Sequence, residues 1–245
     1  MLVAALDTST LALSCALLES GPERASVLAT RSEPPIRSGP GHSARLPGAL
    51  VELLEMAGKN VRDVGGWAVG IGPGSFTGLR IGLATWKGFA YANRRPISGA
   101  SSLAAMALEA AGGAPEGTLL VPLLDARKGE VYAGFYRASP GGVRSVAPEA
   151  ALTPGDLATR LAGAGPAVGF GEGFAAFRAE LAGALPELAS GPASPSAEAV
   201  GRLALPALGA YDEQALFALE PHYVRLSEAE VRFPNGLPAR RPGEG

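Results

Sequence analysis

The run Val69-Gly70-Ile71-Gly72-Pro73-Gly74-Ser75-Phe76-Thr77-Gly78-Leu79-Arg80-Ile81-Gly82-Leu83 constrains this chain more than any other stretch. Gly66 to Ile71 is a short apolar run that reads as a buried strand, and Leu79 to Tyr91 reads as a helix. Between them, glycines at 72, 74 and 78 and Pro73 build a tight loop. Strand, glycine loop and helix in that order is how an α/β fold presents backbone N–H groups to an anion. Two phosphate-loop patterns fail against it. The pattern G-x-G-x-x-G needs a third glycine or alanine, but meets Ser75 from Gly70 and Thr77 from Gly72; Walker A needs Gly-Lys-Ser/Thr, but Leu79 follows Gly78. A tight turn with no ligand is the alternative reading.

The helix after the loop carries Gly78, Gly82 and Gly88, each costing about 1 kcal/mol against alanine in a helix interior. Gly78 and Gly82 share a face that Thr85 and Phe89 continue. So flat a stripe suits close approach by a second helix or a sheet, and marks the helix as an interface element.

The chain has 245 residues, enough to bury one large or two small cores. Its formal charge of −2 leaves no electrostatic footprint for independent nucleic-acid binding. Cys15 is the single cysteine, so no disulfide closes within the chain, and a reducing compartment is its natural home. It lies in an alternating apolar run and reads as a core thiol rather than a nucleophile. Residues 1–20 lack a basic n-region and Asp7 interrupts the apolar start, so no secretory signal is expected. No apolar run reaches the roughly 18 residues needed to span a bilayer. A cytoplasmic chain without a membrane partner is expected.

Taken in order, Leu2 to Leu6 and Leu11 to Leu18 read as two strands around the polar turn Asp7-Thr8-Ser9-Thr10, and Ala25 to Arg31 as a third. Pro34 to Gly41 is a broken loop. His42-Ser43 opens a helix with Leu46, Leu50, Leu53, Leu54 and Ala57 at helical spacing. Either Ser43 caps it or Pro47 marks its first turn. A short strand at Arg95 to Ser98 and a helix at Leu103 to Ala111 end at Gly112-Gly113-Ala114-Pro115, a domain boundary. Past it the opening pattern returns: Leu119 to Asp125, the turn Lys128-Gly129, then Glu130 to Tyr136, with Asp125 beneath Asp7. A third strand near Gly142 to Val146, a helix from Pro154, a strand at Ala167 to Phe170 and a helix from Phe174 complete the second unit. Ala197 to Leu208 is a last helix, and from Ser227 the chain reads as a loose tail. The expected division is residues 1–114, 115–210 and a C-terminal segment, 211–245. Two tandem hairpin-led units predict an α/β fold of two ribonuclease-H-like subdomains, the architecture of actin, the large heat-shock chaperones and the sugar kinases.

Ala5 to Thr10, His42-Ser43, Gly70 to Gly82 and Asp125 to Tyr132, with Pro195, Ala197 and Pro221-His222-Tyr223-Val224-Arg225, resemble the TsaB family, formerly YeaZ. The likeness covers roughly residues 1 to 225. It implies a subunit of the bacterial machinery that places threonylcarbamoyl on adenosine 37 of tRNA. It further implies docking onto the paralogous TsaD, with a TsaE-like ATPase as a further partner and a homodimer as an alternative assembly. ATP would be used by the complex without being held tightly by this chain, and tRNA would be reached only through the complex. After the glycine helix, TsaD-like chains carry Asn-His-x-x-x-His, whose histidines hold a metal. Here the matching segment is Ser101 to Met106, and the histidine positions fall on Ser102 and Met106. The only histidines are His42 and His222, so no metal site and no catalytic residue are expected. Gly169-Phe170-Gly171-Glu172-Gly173 stands where the adenosine loop of the fold belongs, and a carboxylate at 172 would repel phosphates if it faced them.

Asp7, Thr8, Gly72, Gly74, Ser75, Asp125 and Arg127 are therefore candidates for a vestigial phosphate site. Asp7 either holds a metal or water beside phosphates or accepts N–H bonds within its own turn. Asp125 and Arg127 either brace the second hairpin as a pair or face the cleft or a partner. The expected partner surface is the helix pair 43–57 and 77–91. It is assigned to Leu46, Leu50, Leu53 and Leu54 on the first helix and to Gly78, Arg80, Gly82, Trp86 and Phe89 on the second, so that Gly82→Leu would abolish docking and leave the fold intact. Three readings compete: a non-catalytic partner of the transfer subunit, an independent kinase or peptidase, and a homodimeric module serving another client. No Ser-His-Asp set or zinc clamp supports the peptidase.

Overall fold

The computed structural model describes residues 1–21, 25–35 and 41–225, so the segment from Ser227 read as a tail, and most of the 34–41 loop, lie outside the described residues. The first lobe opens with β1 (Leu2–Asp7), β2 (Leu13–Glu19) and β3 (Ser26–Glu33), followed by α1 (His42–Met56), β4 (Val64–Gly70), α2 (Phe76–Asn93), β5 (Ile97–Ala100) and α3 (Ser102–Ala111). Its sheet runs β3-β2-β1-β4-β5, antiparallel among the first three strands and parallel from β1 through β4 to β5. The second lobe repeats this with β6 (Leu119–Arg127), β7 (Glu130–Ser139), β8 (Gly142–Leu152), α4 (Pro154–Leu161) and β9 (Ala167–Phe170), in the order β8-β7-β6-β9. A parallel bridge from Gly169 to Glu187 stands where the first lobe has its fifth strand. The fold is α/β, two ribonuclease-H-like sheets in tandem, as the repeated hairpin-led units predicted.

The residue alternation along β1 explains how the layers form. Leu2, Ala4 and Leu6 join the core beneath α1 and α2, whereas Val3 and Ala5 join the core on the opposite face. With helices on both faces every residue of β1 is buried, which is why the strand reads as a continuous apolar run. The short helices α5 (Glu172–Ala176) and α6 (Arg178–Leu181) close the second lobe. Then α7 (Ala197–Ala204), grouped by sequence with residues 115–210, crosses back to the first sheet. Ala197, Ala199, Val200 and Ala204 pack there against Val3, Ala5, Ala16 and Leu18, and the Ala197 N–H donates to Ser14 Oγ at 2.9 Å. Proximity in sequence suggested the wrong lobe, because an amphipathic helix records that it needs a sheet but not which one. Helix α8 (Glu213–Ala218) also returns to the first lobe and buries Leu216 in its core.

Helix α3 lies between the sheets. Its Ala105 belongs to the core of the first, while Leu103, Met106, Ala107 and Ala110 pack with Leu120, Leu124, Tyr136 and Phe170 of the second. Two helix starts differ from their sequence readings. Gly41 is the cap residue of α1, so neither Ser43 nor Pro47 begins it, and Pro47 lies within the helix. Helix α2 starts at Phe76, with Ser75 Oγ accepting the Gly78 N–H at 3.2 Å.

Candidate functional site

A cleft of about 880 Å³ opens between the lobes. Its walls are the β1–β2 tip (Ser9 to Leu11), the glycine loop with the start of α2 (Pro73 to Phe76, and Arg80), the β6–β7 tip (Asp125 to Arg127), the start of α5 at Glu172, and the stretch His222 to Arg225. The sheets present their corresponding ends here, since both hairpin tips follow from the repeated topology.

The two tips use the same turn chemistry. Asp7 Oδ1 accepts the Ser9 N–H at 2.8 Å, and Asp125 Oδ1 accepts the Arg127 N–H at 2.8 Å. Their surroundings then diverge. Asp7 is only 2 % exposed: Oδ1 also accepts Ser9 Oγ–H at 2.6 Å, and Oδ2 accepts Ser102 Oγ–H at 2.7 Å. Burial pushes its carboxyl above the ordinary 3.8, against the opposing pull of those hydrogen bonds. Asp7 thus makes an Asx turn and does not line the cleft. Asp125 does line it, and its Oδ2 pairs with Arg127 Nη1 at 3.0 Å. The pair both braces the hairpin and faces the cleft.

The glycine loop is sewn to the first hairpin. The Ser75 N–H donates to the Ser9 carbonyl at 2.6 Å, and a Cβ on Gly74 would lie 2.3 Å from that same oxygen. Thr8 is fully buried, and its hydroxyl donates to the Gly78 carbonyl at 2.9 Å. His42 Nε2 donates to the Thr10 carbonyl at 2.9 Å, tying the start of α1 to the same tip. Of the seven residues proposed for a phosphate site, Gly74, Ser75, Asp125 and Arg127 reach the cleft, while Asp7, Thr8 and Gly72 are committed beneath it. Glu172 stands on the cleft wall, as the Gly169 to Gly173 stretch suggested it could, whereas Phe170 is buried in the second core.

The expected partner surface requires a correction. Leu46, Leu50, Leu53 and Leu54 of α1, and Gly78, Gly82 and Trp86 of α2, are buried. The leucines and Trp86 belong to the core beneath the first sheet. Trp86 Nε1 donates to the Ala4 carbonyl at 3.0 Å, and Phe89 stacks on Trp67 with ring centroids 5.2 Å apart. The close approach signalled by the glycines is made by this chain's own β1 turn: a Cβ on Gly78 would lie 2.1 Å from the Thr8 carbonyl oxygen, and one on Gly82 2.2 Å from Thr8 Oγ1. Gly88 meets nothing within 4 Å. Each helix has one apolar stripe and the sheet takes it, so it cannot also serve a partner. Of the nine residues assigned to a partner surface, Arg80 is exposed and Phe89 is half-buried.

Sequence reasoning passed over Phe76 and the chemistry of 222–225. Tyr223 packs against Phe76 with centroids 5.2 Å apart, and its hydroxyl accepts from Arg80 Nε at 3.0 Å. Arg225 Nη1 pairs with Glu130 Oε2 at 2.9 Å. The density of aromatic, imidazole and guanidinium groups in Pro221 to Arg225 was the available signal.

Residues 34–190 match the family model described as "TsaD: tRNA N6-adenosine threonylcarbamoyltransferase". The chain is 34% identical over 149 residues to the tRNA threonylcarbamoyladenosine biosynthesis protein TsaB of Bacillus subtilis, 61% of either chain, and 34% identical over 143 residues to that of Escherichia coli, 58% of either. The matched region thus spans about three fifths of these curated relatives. The solved structure of YeaZ from Pseudomonas aeruginosa superposes with a TM-score of 0.71 at 31% identity, over 91% of this chain and 99% of that one. The chain belongs to the TsaB (YeaZ) family. A second P. aeruginosa structure, of a protein described as similar to peptidase YEAZ, gives a TM-score of 0.73 at the same identity and coverage.

Within this family fold, Ser102 and Met106 do not suit the metal that the resemblance to TsaD-like chains implied for these positions. The Ser102 hydroxyl is spent on Asp7, and the Met106 thioether is buried in the core shared with the second lobe. Neither offers an imidazole, and the Asp7 carboxylate that Ser102 meets already accepts three hydrogen bonds. Among the described residues, no group of three or more His, Cys, Asp and Glu side chains is arranged to hold a metal ion. No helix of the described residues is long and apolar enough to cross a membrane.

Proposed function

We propose that this chain serves the formation of N6-threonylcarbamoyladenosine at position 37 of tRNA as a non-catalytic subunit that docks a TsaD-like transfer subunit. The curated relatives, named for that biosynthesis, support the pathway. The observation that carries the non-catalytic role is the sealed Asp7. Both its oxygens are hydrogen-bonded inside the protein, at the point where a catalyst of this fold needs an open carboxylate.

The docking surface is the outward face of the same two helices, carried by different residues from the leucine stripe. On α2 Thr77, Arg80, Ala84, Gly88 and Tyr91 are exposed at helical spacing; on α1 so are Ala44, Pro47, Gly48, Val51 and Glu55. Val51 is 53 % and Tyr91 50 % exposed. Small residues at 84 and 88 leave room for a partner helix close to the backbone. A TsaE-like ATPase joins the assembly, which uses ATP that this chain does not hold tightly. A second copy of the chain takes the same face when the transfer subunit is absent. Contact with tRNA is left to the complex, in keeping with the formal charge of −2.

Co-expression with the TsaD-like subunit of the same cell, followed by size-exclusion chromatography, tests the reading. Ala84→Arg and Val51→Asp should each abolish the heteromeric peak while leaving the thermal midpoint of the isolated chain unchanged. Complex formation undiminished by both substitutions would overturn the surface. Enzyme-like ATP or peptide hydrolysis by the isolated chain would overturn the non-catalytic role.

A further inference from the structure

The stretch Leu219 to Arg225 follows α8 and crosses the cleft from one lobe to the other. On the first lobe it is firmly held. Leu219 packs against the core beneath the first sheet, and the His222 N–H donates to the Ile71 carbonyl at 2.7 Å. Tyr223 lies on Phe76 with its hydroxyl bonded by Arg80, whose guanidinium also sits 3.9 Å from the Phe76 ring centroid.

On the second lobe the attachment is electrostatic and partly solvated. Arg225 meets Glu130 of β7 with both side chains about one third exposed, and His222 Nδ1 lies 3.3 Å from Glu149 Oε2 of β8. Glu149 is itself a junction. Its Oε1 accepts hydroxyl bonds from Ser101, at the start of α3, and from Tyr136 of β7, and its side chain is only 7 % exposed. Helix α3, whose cap residue Ser101 shares Glu149 with His222, is packed into the cores of both lobes. The lobes are thus joined by a buried apolar helix and, beside its start, by a strap with a polar far end.

We infer that residues 219–225 are a releasable clasp: it sets how far the inter-lobe cleft opens about α3, and it lets go first at the Arg225–Glu130 and His222–Glu149 end. The Arg225–Glu130 pair is partly exposed, hence individually weak and screened by salt, whereas the Leu219 end is held by packing that salt does not weaken. Release would part this cleft wall from the second lobe at Arg225, while His222 and Tyr223 stay on the first. The inference concerns the isolated chain and does not depend on the docking partner proposed above.

Electron–electron double resonance on the full chain tests it, with spin labels at Glu55→Cys on α1 and Arg144→Cys on β8, both exposed; the buried Cys15 does not take label. The unaltered strap should give one narrow distance distribution at low salt. Arg225→Glu should broaden it toward longer distances, and the exchanged pair Arg225→Glu with Glu130→Arg should narrow it again. Molar sodium chloride should broaden the unaltered protein and leave Arg225→Glu unchanged. A distribution indifferent to Arg225→Glu would overturn the clasp, as would broadening that the exchanged pair fails to reverse. Trypsin cleavage at Arg127, on the opposite cleft wall, offers a second readout and should accelerate several-fold in Arg225→Glu; an unchanged rate would count against release.

Discussion

Gly82→Ala, read beside Gly88→Ala in the same helix, separates a glycine kept for close approach from one that is not. Both substitutions gain about 1 kcal/mol of helix propensity. At Gly88 nothing lies within 4 Å of the added methyl, so the gain should be realised, at about 0.5–1 kcal/mol. At Gly82 the methyl would stand 2.2 Å from Thr8 Oγ1. To make room, the Thr8 hydroxyl must leave its 2.9 Å bond to the Gly78 carbonyl, within a fully buried site. Overpacking costs about 1–3 kcal/mol, and a buried hydroxyl left without a partner about 1–3 kcal/mol more. Against the propensity gain, Gly82→Ala should therefore destabilise by about 1–5 kcal/mol, or roughly 2–4 °C in thermal midpoint per kcal/mol for a chain of this size. Urea unfolding at unchanged m-value is the assay. Thr8→Ala removes the obstructing oxygen and leaves the Leu6 Cδ2 at 3.3 Å and Cβ of residue 8 at 3.4 Å, contacts a small shift can relieve, so Gly82→Ala should cost much less in that background. Equal effects at 82 and 88, or the same penalty with and without Thr8, would refute the argument. The same geometry replaces the sequence-based expectation for Gly82→Leu: a larger side chain there disturbs β1 itself, so the fold would not stay intact.

The buried Asp7 carboxyl should make stability depend on pH. An acid raised above its unfolded value of 3.8 binds its proton more tightly in the native state, so its contribution is full below 3.8 and is lost as pH rises to the raised native value. Within that window the loss is up to about 1.4 kcal/mol per pH unit. Asp7→Asn removes this slope while Ser9 can still donate to the side-chain oxygen; a wild-type minus variant difference that stays constant with pH in urea titrations would refute it. Burial pushes the Cys15 thiol from 9.0 up to about 12, so native protein near neutral pH should resist thiol reagents. Its labelling rate should rise only as urea unfolds the chain, and rapid labelling of the native state would show that the first core opens locally.

Much of the fold was legible because it is local. The apolar runs of β1 and β6, the aspartates that close a turn two residues on, and the Ser75-capped strand–loop–helix unit each depend on neighbours a few positions away. The repetition of one hairpin unit was legible for the same reason. The loss of imidazoles at Ser102 and Met106 could likewise be read from residue types alone, once the resemblance had aligned them.

What only the tertiary structure decided is which surface each local element meets. The leucine stripe of α1 and the glycines of α2 announce a close neighbour, but periodicity carries no label for that neighbour, and it proved to be the chain's own first sheet. The return of α7 to that sheet, the bond from Ser102 to Asp7 and the contacts of Tyr223 with Phe76 and of Arg225 with Glu130 join residues some 90 to 180 positions apart. Side-chain chemistry at one end of such a contact is compatible with many partners. The choice among them is made when the two sheets and the helix between them exclude water together.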